Sequence, residues 1–260
     1  MSSVLPPVED APRLVPRPQG PVWTAAGDVR TLSTAGYALV LQVAHPTVGA
    51  GVMEHSNFRE DPWGRLLRTL DYVHGSIYGG PRMAGEIGRR VREMHQTIKG
   101  VKPDGQRYHA LEPDAYAWVH ATLASAFIDG HAAFGTPLRA DQAAAFWAEW
   151  LRMGRLIGVR EQDLPADWAD FRPYFDRVVA EELEDNPTVH LVIETLEQPA
   201  KPPLPGLSDG LWRVLRRPAA RQQLVSTVGM LPPPLRAKLN LEWTRADARL
   251  FRAMTAASRA

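Results

Sequence analysis

The chain has 260 residues, 45% of them apolar, and a formal charge of +1, which allows a sizeable core but not the clustered basic surface that nucleic acid calls for. It contains no cysteine; disulfides, zinc–thiolate sites, iron–sulfur clusters, thiolate-ligated heme and a cysteine nucleophile are excluded, so any metal must be held by histidine or carboxylate. There is no apolar run of about 18 residues and no N-terminal h-region, so the protein reads as soluble and cytoplasmic, without a membrane span.

Residues 1–22 hold six prolines and no hydrophobic period, which predicts an extended surface arm ahead of one helical domain over residues 23–258. From Asp28 a helical pattern runs to Ala44. His45-Pro46 should interrupt it, because the residue before proline is pushed out of the α region. A second piece follows from Thr47 to His55, weakened by about 1 kcal/mol for each of Gly49 and Gly51. With Ala50 between them, these small residues point either to a neighbouring helix or to a flat ligand against the backbone.

Asp61-Pro62 opens the next helix, the aspartate as N-cap and the proline at the first helical position, where its missing N–H costs nothing. Leu66, Leu70, Val73 and Ile77 recur on one stripe that faces a core. Beside it Arg65, Thr69, Tyr72 and Ser76 share a polar edge, which is either an anion grip or a solvated face. A helix is then predicted from Arg82 to Lys99, closed by Gly100, with Ala84, Ile87, Val91, Met94, His95 and Ile98 on its buried face. A histidine inside such a stripe is a satisfied core residue or a metal ligand.

Residues 101–112 read as a polar turn, and Pro113 opens a long helix to Phe134. On it His120 and His131 share a face three turns apart, too far to bind one metal together, while His120 can border a pocket. Further helices are predicted at 139–158, 166–184, 187–197, 208–217, 220–230 and 234–256. No segment reads as a strand, so the fold class is all-α with a single helical domain. The eight tryptophans suit a broad apolar pocket or plain core. Glu-x-x-His pairs are absent, which disfavours a non-heme di-iron bundle. Apolar walls, a stripe-borne imidazole and an arginine edge fit heme b, whose iron needs an axial ligand and whose propionates need donors.

The run HPTVGAGVMEHSNFREDPWGRLLRTLDYV, followed by VREMHQTIKG, resembles the latex-clearing protein (rubber oxygenase) family, which also takes in the oxygenase MpaB. The likeness is densest over residues 30–135. It implies a globin-like helical core around a b-type heme, with His95 as the iron's axial ligand and Arg65 and Thr69 in the cofactor environment. Where the family's rubber oxygenases place a lysine, Arg68 stands here. A guanidinium does not deprotonate and cannot ligate iron, so Arg68 is a candidate distal-pocket cation. The family's catalytic glutamate falls near Gly49 by ungapped counting, and Glu54 is the nearest carboxylate and candidate base. His120 and His45 are further candidates for contact with the cofactor.

The resemblance implies a heme b-dependent oxidoreductase, an oxygenase acting with O₂ on a small apolar alkene or aromatic substrate, with an electron donor the sequence does not name. A non-catalytic heme-binding or gas-sensing protein would use the same ligand without a substrate pocket. A helical scaffold with no cofactor is the third reading.

Overall fold

Proline decides where many of the helices begin. In the computed structural model, which describes residues 11–102 and 104–260, Pro21, Pro46, Pro62, Pro81, Pro113, Pro187 and Pro233 each lie in the first turn of a helix. An N–H there would have no intrahelical partner in any case. The order is α1 (Ala11–Leu14), α2 (Pro21–Ala26), a 3-10 segment (Val29–Thr34), α3 (Ala35–Val43), α4 (Pro46–His55), α5 (Pro62–Tyr78) and α6 (Gly80–Gln96). The hairpin β1 (Lys99–Val101) and β2 (Arg107–His109) follows, then α7 (Pro113–Phe134), α8 (Ala140–Ile157), a 3-10 turn (Glu161–Asp163), α9 (Trp168–Glu181) and α10 (Pro187–Glu197). Last come α11 (Asp209–Met230), α12 (Pro233–Lys238) and α13 (Arg245–Arg259). The protein is all-α, and one hydrophobic core joins residues from Ala11 to Leu239.

The core is built around α7, which is buried on nearly every side. Its alanines at 115, 117, 121 and 124 carry no bulk, so α3 and α8 pack closely against it. Trp118, Phe146, Trp147, Trp150, Phe171 and Phe175 fill the space beside it, with Phe146 stacked on Trp150 at 5.6 Å and Trp147 4.5 Å from Phe171. Each of these indoles finds a carbonyl: Trp118 Nε1 donates to Leu41 O, Trp150 Nε1 to His120 O and Trp147 Nε1 to Pro165 O. These three tryptophans are therefore core, as satisfied buried indoles usually are, and the other five are half-buried.

Several sequence expectations need correction. Residues 11–22 are not a wholly extended surface arm. α1 and the start of α2 are helical, Ala11, Leu14 and Val22 are buried, and the buried carboxylate of Glu149 on α8 accepts from Val22 N at 3.2 Å and Arg17 Nε at 3.3 Å. Residues 1–10 lie outside the described residues. The first long helix begins as a 3-10 turn capped by Asp28, which accepts from Arg30 N, and turns α-helical at Ala35. A short hairpin stands where no strand was expected, pairing Lys99 with His109 and Val101 with Arg107. Its signal was Asp104-Gly105, since Gly105 takes a positive φ of 86° that a tight reversal requires. Gly100 thus lies in β1, and α6 ends at Gln96.

Toward the C-terminus, α11 runs unbroken through Pro218, and the pattern over 234–256 splits into α12 and α13. The split is written in Thr244 and Asp247, whose side chains each accept from the other's backbone N–H, a capping box that starts a new helix.

The buried face of α6 is turned by about one residue from the expected stripe. Ala84, Gly88 and Arg92 are buried, Ile87, Val91 and His95 are half-buried, and Met94 is 54% exposed. Gly88 is the cause: a Cβ there would fall on the Leu156 carbonyl of α8, so the helix presents its small residues to α8 and leaves the Ile87–Val91–His95 edge half covered. Gly88→Val should force α6 away from α8 and lower stability by about 1–3 kcal/mol, read as a lower urea midpoint. An unchanged midpoint would mean this contact gives way freely.

Candidate active site

An apolar cleft of about 200 Å³ opens between α3, α5, α7 and α10. α5 supplies Arg65, Leu66, Thr69, Leu70, Val73 and His74 to one wall; Leu39 and Gln42 of α3, Leu123 and Phe127 of α7, and Val192 and Leu196 of α10 supply the others. α5 presents these residues because Asp61 caps it, accepting from Gly64 N at 2.8 Å, which fixes the phase of every later turn.

Arg65 is the one charged side chain in this wall. Its Nη1 donates to Ser56 Oγ at 3.1 Å, and its guanidinium lies 5.8 Å from the centre of the buried Phe58 ring. No carboxylate pairs with it among the described residues. Burial, with Arg68 nearby, lowers its pKa to about 10, the mark of a cation with no counter-charge. Thr69 stands one turn on, its hydroxyl donating to Arg65 O at 3.1 Å.

His95 does not line this cleft. In the last turn of α6, its Nδ1 lies 2.7 Å from Val91 O, and since a carbonyl only accepts, Nδ1 carries the hydrogen. Nε2 then holds the lone pair and has no hydrogen-bond partner among the described residues. Burial pushes the pKa of His95 down, so the ring is neutral at neutral pH. The imidazole meets the edge of Tyr116 at 5.4 Å. Tyr116, Val119 and Leu123 follow one another at i, i+3 and i+7 on α7, a single helical stripe, and Leu123 is in the cleft wall. His95 and the cleft therefore stand at two ends of the same face of α7.

The other candidates are placed elsewhere. Arg68 is exposed, donating to Asn57 Oδ1 at 3.1 Å and pairing with Asp61 at 3.4 Å, outside the cleft wall. Glu54 accepts from Tyr108 Oη at 2.6 Å beside the hairpin. His45 is the buried N-cap of α4, its Nδ1 without a partner. His120 is sealed in the core, stacked on Trp150 at 4.9 Å, with Nε2 donating to Trp150 O at 2.9 Å. The Gly49 and Gly51 backbone meets protein. A Cβ on Gly49 would lie 2.5 Å from Val43 O and 3.0 Å from Asn186 Nδ2, and Thr188 Oγ1 donates to Gly49 O.

Gln42 and His74 line the cleft although sequence reasoning passed over them. Gln42 had a signal, a lone amide inside the apolar run AGYALVLQVA; His74, off the Leu66–Ile77 stripe, had none. Among the described residues no group of three or more histidines and carboxylates could share a metal ion.

The family described as ER-bound oxygenase mpaB/B'/rubber oxygenase, catalytic domain, matches residues 23–260. The chain belongs to this family. It is accordingly an enzyme of the oxygenase class, as the resemblance implied. Among individual proteins, it is 28% identical over 217 residues to uncharacterized protein Mb2261 of Mycobacterium bovis and to uncharacterized protein Rv2237 of Mycobacterium tuberculosis, covering 82% of this chain and 81% of each relative. No solved structure matches. Among the described residues no helix is long and apolar enough to cross a membrane.

Proposed function

We propose that this oxygenase depends on heme b and acts with O₂ on a small apolar alkene or aromatic compound. The observation that carries the reading is His95, whose Nδ1–H is fixed on Val91 O while a neutral, unpartnered Nε2 remains for a metal. A carbonyl holding the far nitrogen is what sets the tautomer and orientation of a ligating imidazole. A lone imidazole suits heme, because the macrocycle supplies the other equatorial donors. The guanidinium of Arg65, half-buried beside Ser56 and Phe58 and without a counter-ion among the described residues, fits a propionate, and the half-covered edge of α6 with Tyr116 offers apolar surface.

When bound, the heme supplies an iron site for O₂, with neutral-imidazole ligation and none of the electron push of a thiolate. The chain's own residues do the rest. Val91 O orients His95, Arg65 and Thr69 hold the polar edge, and the apolar walls at Leu39, Leu70, Leu123, Phe127 and Val192 take an uncharged substrate and exclude water. Gln42, His74, Thr195 and Gln223 are among the polar groups there that can orient it.

Arg65→Ala should weaken hemin retention by about 1–3 kcal/mol, the usual worth of a charge-assisted hydrogen bond, measured as faster hemin loss to an apomyoglobin acceptor. Unchanged hemin loss would remove Arg65 from the cofactor site and leave it for the substrate.

A further inference from the structure

Among the described residues, the first turns of α11 present a helical face that nothing covers. From Ala220 onward α11 packs into the protein, but its first turns stand clear: Leu211, Val214 and Leu215 are 49%, 72% and 41% exposed, and Leu204 on the loop before it is 61% exposed. At about 100° per residue, Leu211, Val214, Leu215 and the half-buried Trp212 fall on one arc, and Arg213, Arg216 and Arg217 on the arc opposite. These three arginines have no ion-pair partner among the described residues. From Gly210 to Leu241 the sequence has no aspartate or glutamate at all, a concentration of positive charge in a chain whose total is +1.

The segment lies between residues that line the rim of the cleft. Pro199 and Ala200 on the loop into α11, Gln223 on α11 and the 48% exposed Leu32 all line it, and Trp63 Nε1 donates to Ala200 O at 2.9 Å, tying the loop to α5.

We propose that residues 204–217 dock on a bilayer surface rich in anionic lipid, with the leucine, valine and tryptophan arc at the acyl boundary and the arginines at the headgroups. A helix with an apolar arc, a tryptophan and a basic polar face lies in such an interface, and the one carboxylate of the segment, Asp209, is already paired with Lys201. A second copy of the chain fits worse, because pairing through the apolar arc would leave the three arginines on the far side without a counter-charge, whereas an anionic bilayer meets both. Docking there sets the cleft's rim against the lipid, so an apolar substrate passes from acyl chains to the cleft without crossing water. The inference does not depend on heme.

The test is co-sedimentation of the full chain with vesicles of phosphatidylcholine alone or mixed equally with phosphatidylglycerol. Binding to the mixed vesicles and little to the neutral ones is expected. Val214→Asp with Leu215→Asp, and separately Arg216→Glu with Arg217→Glu, should each lower the partition coefficient by about tenfold or more, with the circular dichroism unchanged. Absence of binding, equal binding to neutral vesicles, or full binding by both variants would overturn the proposal. So would a dimer that these substitutions dissociate in a protein that ignores vesicles.

Discussion

His95→Ala should abolish stable hemin binding, or leave a protein whose Soret band returns only when imidazole is added. The reason is local. Of the ring nitrogens, Nδ1 is committed to Val91 O at 2.7 Å, so Nε2 is the only one able to bond iron, and the neutral state that bonding needs is already favoured by burial. His120→Ala and His55→Ala should keep the band. His120 is locked between Trp150 O and the Trp150 ring, and His55 Nε2 sits 3.2 Å from Lys99 O at the surface. If His95→Ala binds hemin with an unaltered spectrum, the iron is held by another residue.

The folded chain should lose stability as pH falls from about 6.5 toward 4, by about 2–4 kcal/mol from His120 alone. Burial holds this imidazole down to about 4, whereas in the unfolded chain it returns to about 6.5. Between those values the unfolded chain binds a proton that the folded chain refuses. The contribution is absent above about pH 6.5, grows against folding as the pH drops, and levels off below about 4. His45 and His95, also lowered by burial, act in the same direction. Urea unfolding of the chain without added hemin at pH 7 and pH 4.5 measures the loss. His120→Gln, which has no titrating ring, should be less stable at pH 7 but shallower in its pH dependence; an equally steep slope would assign the acid sensitivity elsewhere.

The sequence was most legible where backbone chemistry is local. Proline after an aspartate or asparagine marks a helix start by itself, and Asp61-Pro62 and Asn186-Pro187 begin α5 and α10 as expected. The His45-Pro46 break falls where the steric rule places it, with His45 in extended backbone at ψ 127°. What depends on a distant neighbour was harder to read. The face that α6 buries is set by the Leu156 carbonyl against Gly88, and no periodicity within α6 encodes a carbonyl on α8. Pro218 looked like a stop, yet the C-terminal half of α11 is held by packing around Val225, Ser226, Thr227 and Val228, which outweighs one lost hydrogen bond.

At the site, the Arg65–Thr69 edge was visible as spacing, but its want of a counter-charge was not, because that is a statement about what fails to approach. Family membership came from ordered motifs, and the match over residues 23–260 bears it out. Gln42 and His74 meet in the cleft only because α3 and α5 both line it, a tertiary fact.

Whether one imidazole holds a b-type heme, as proposed, is read by titrating the purified chain with hemin. Saturable one-to-one uptake with a sharp Soret band is expected, in a ferric form whose spectrum shifts on reduction and again on exposure to CO. A titration that never saturates, with hemin absorbing as it does free in buffer, would contradict it.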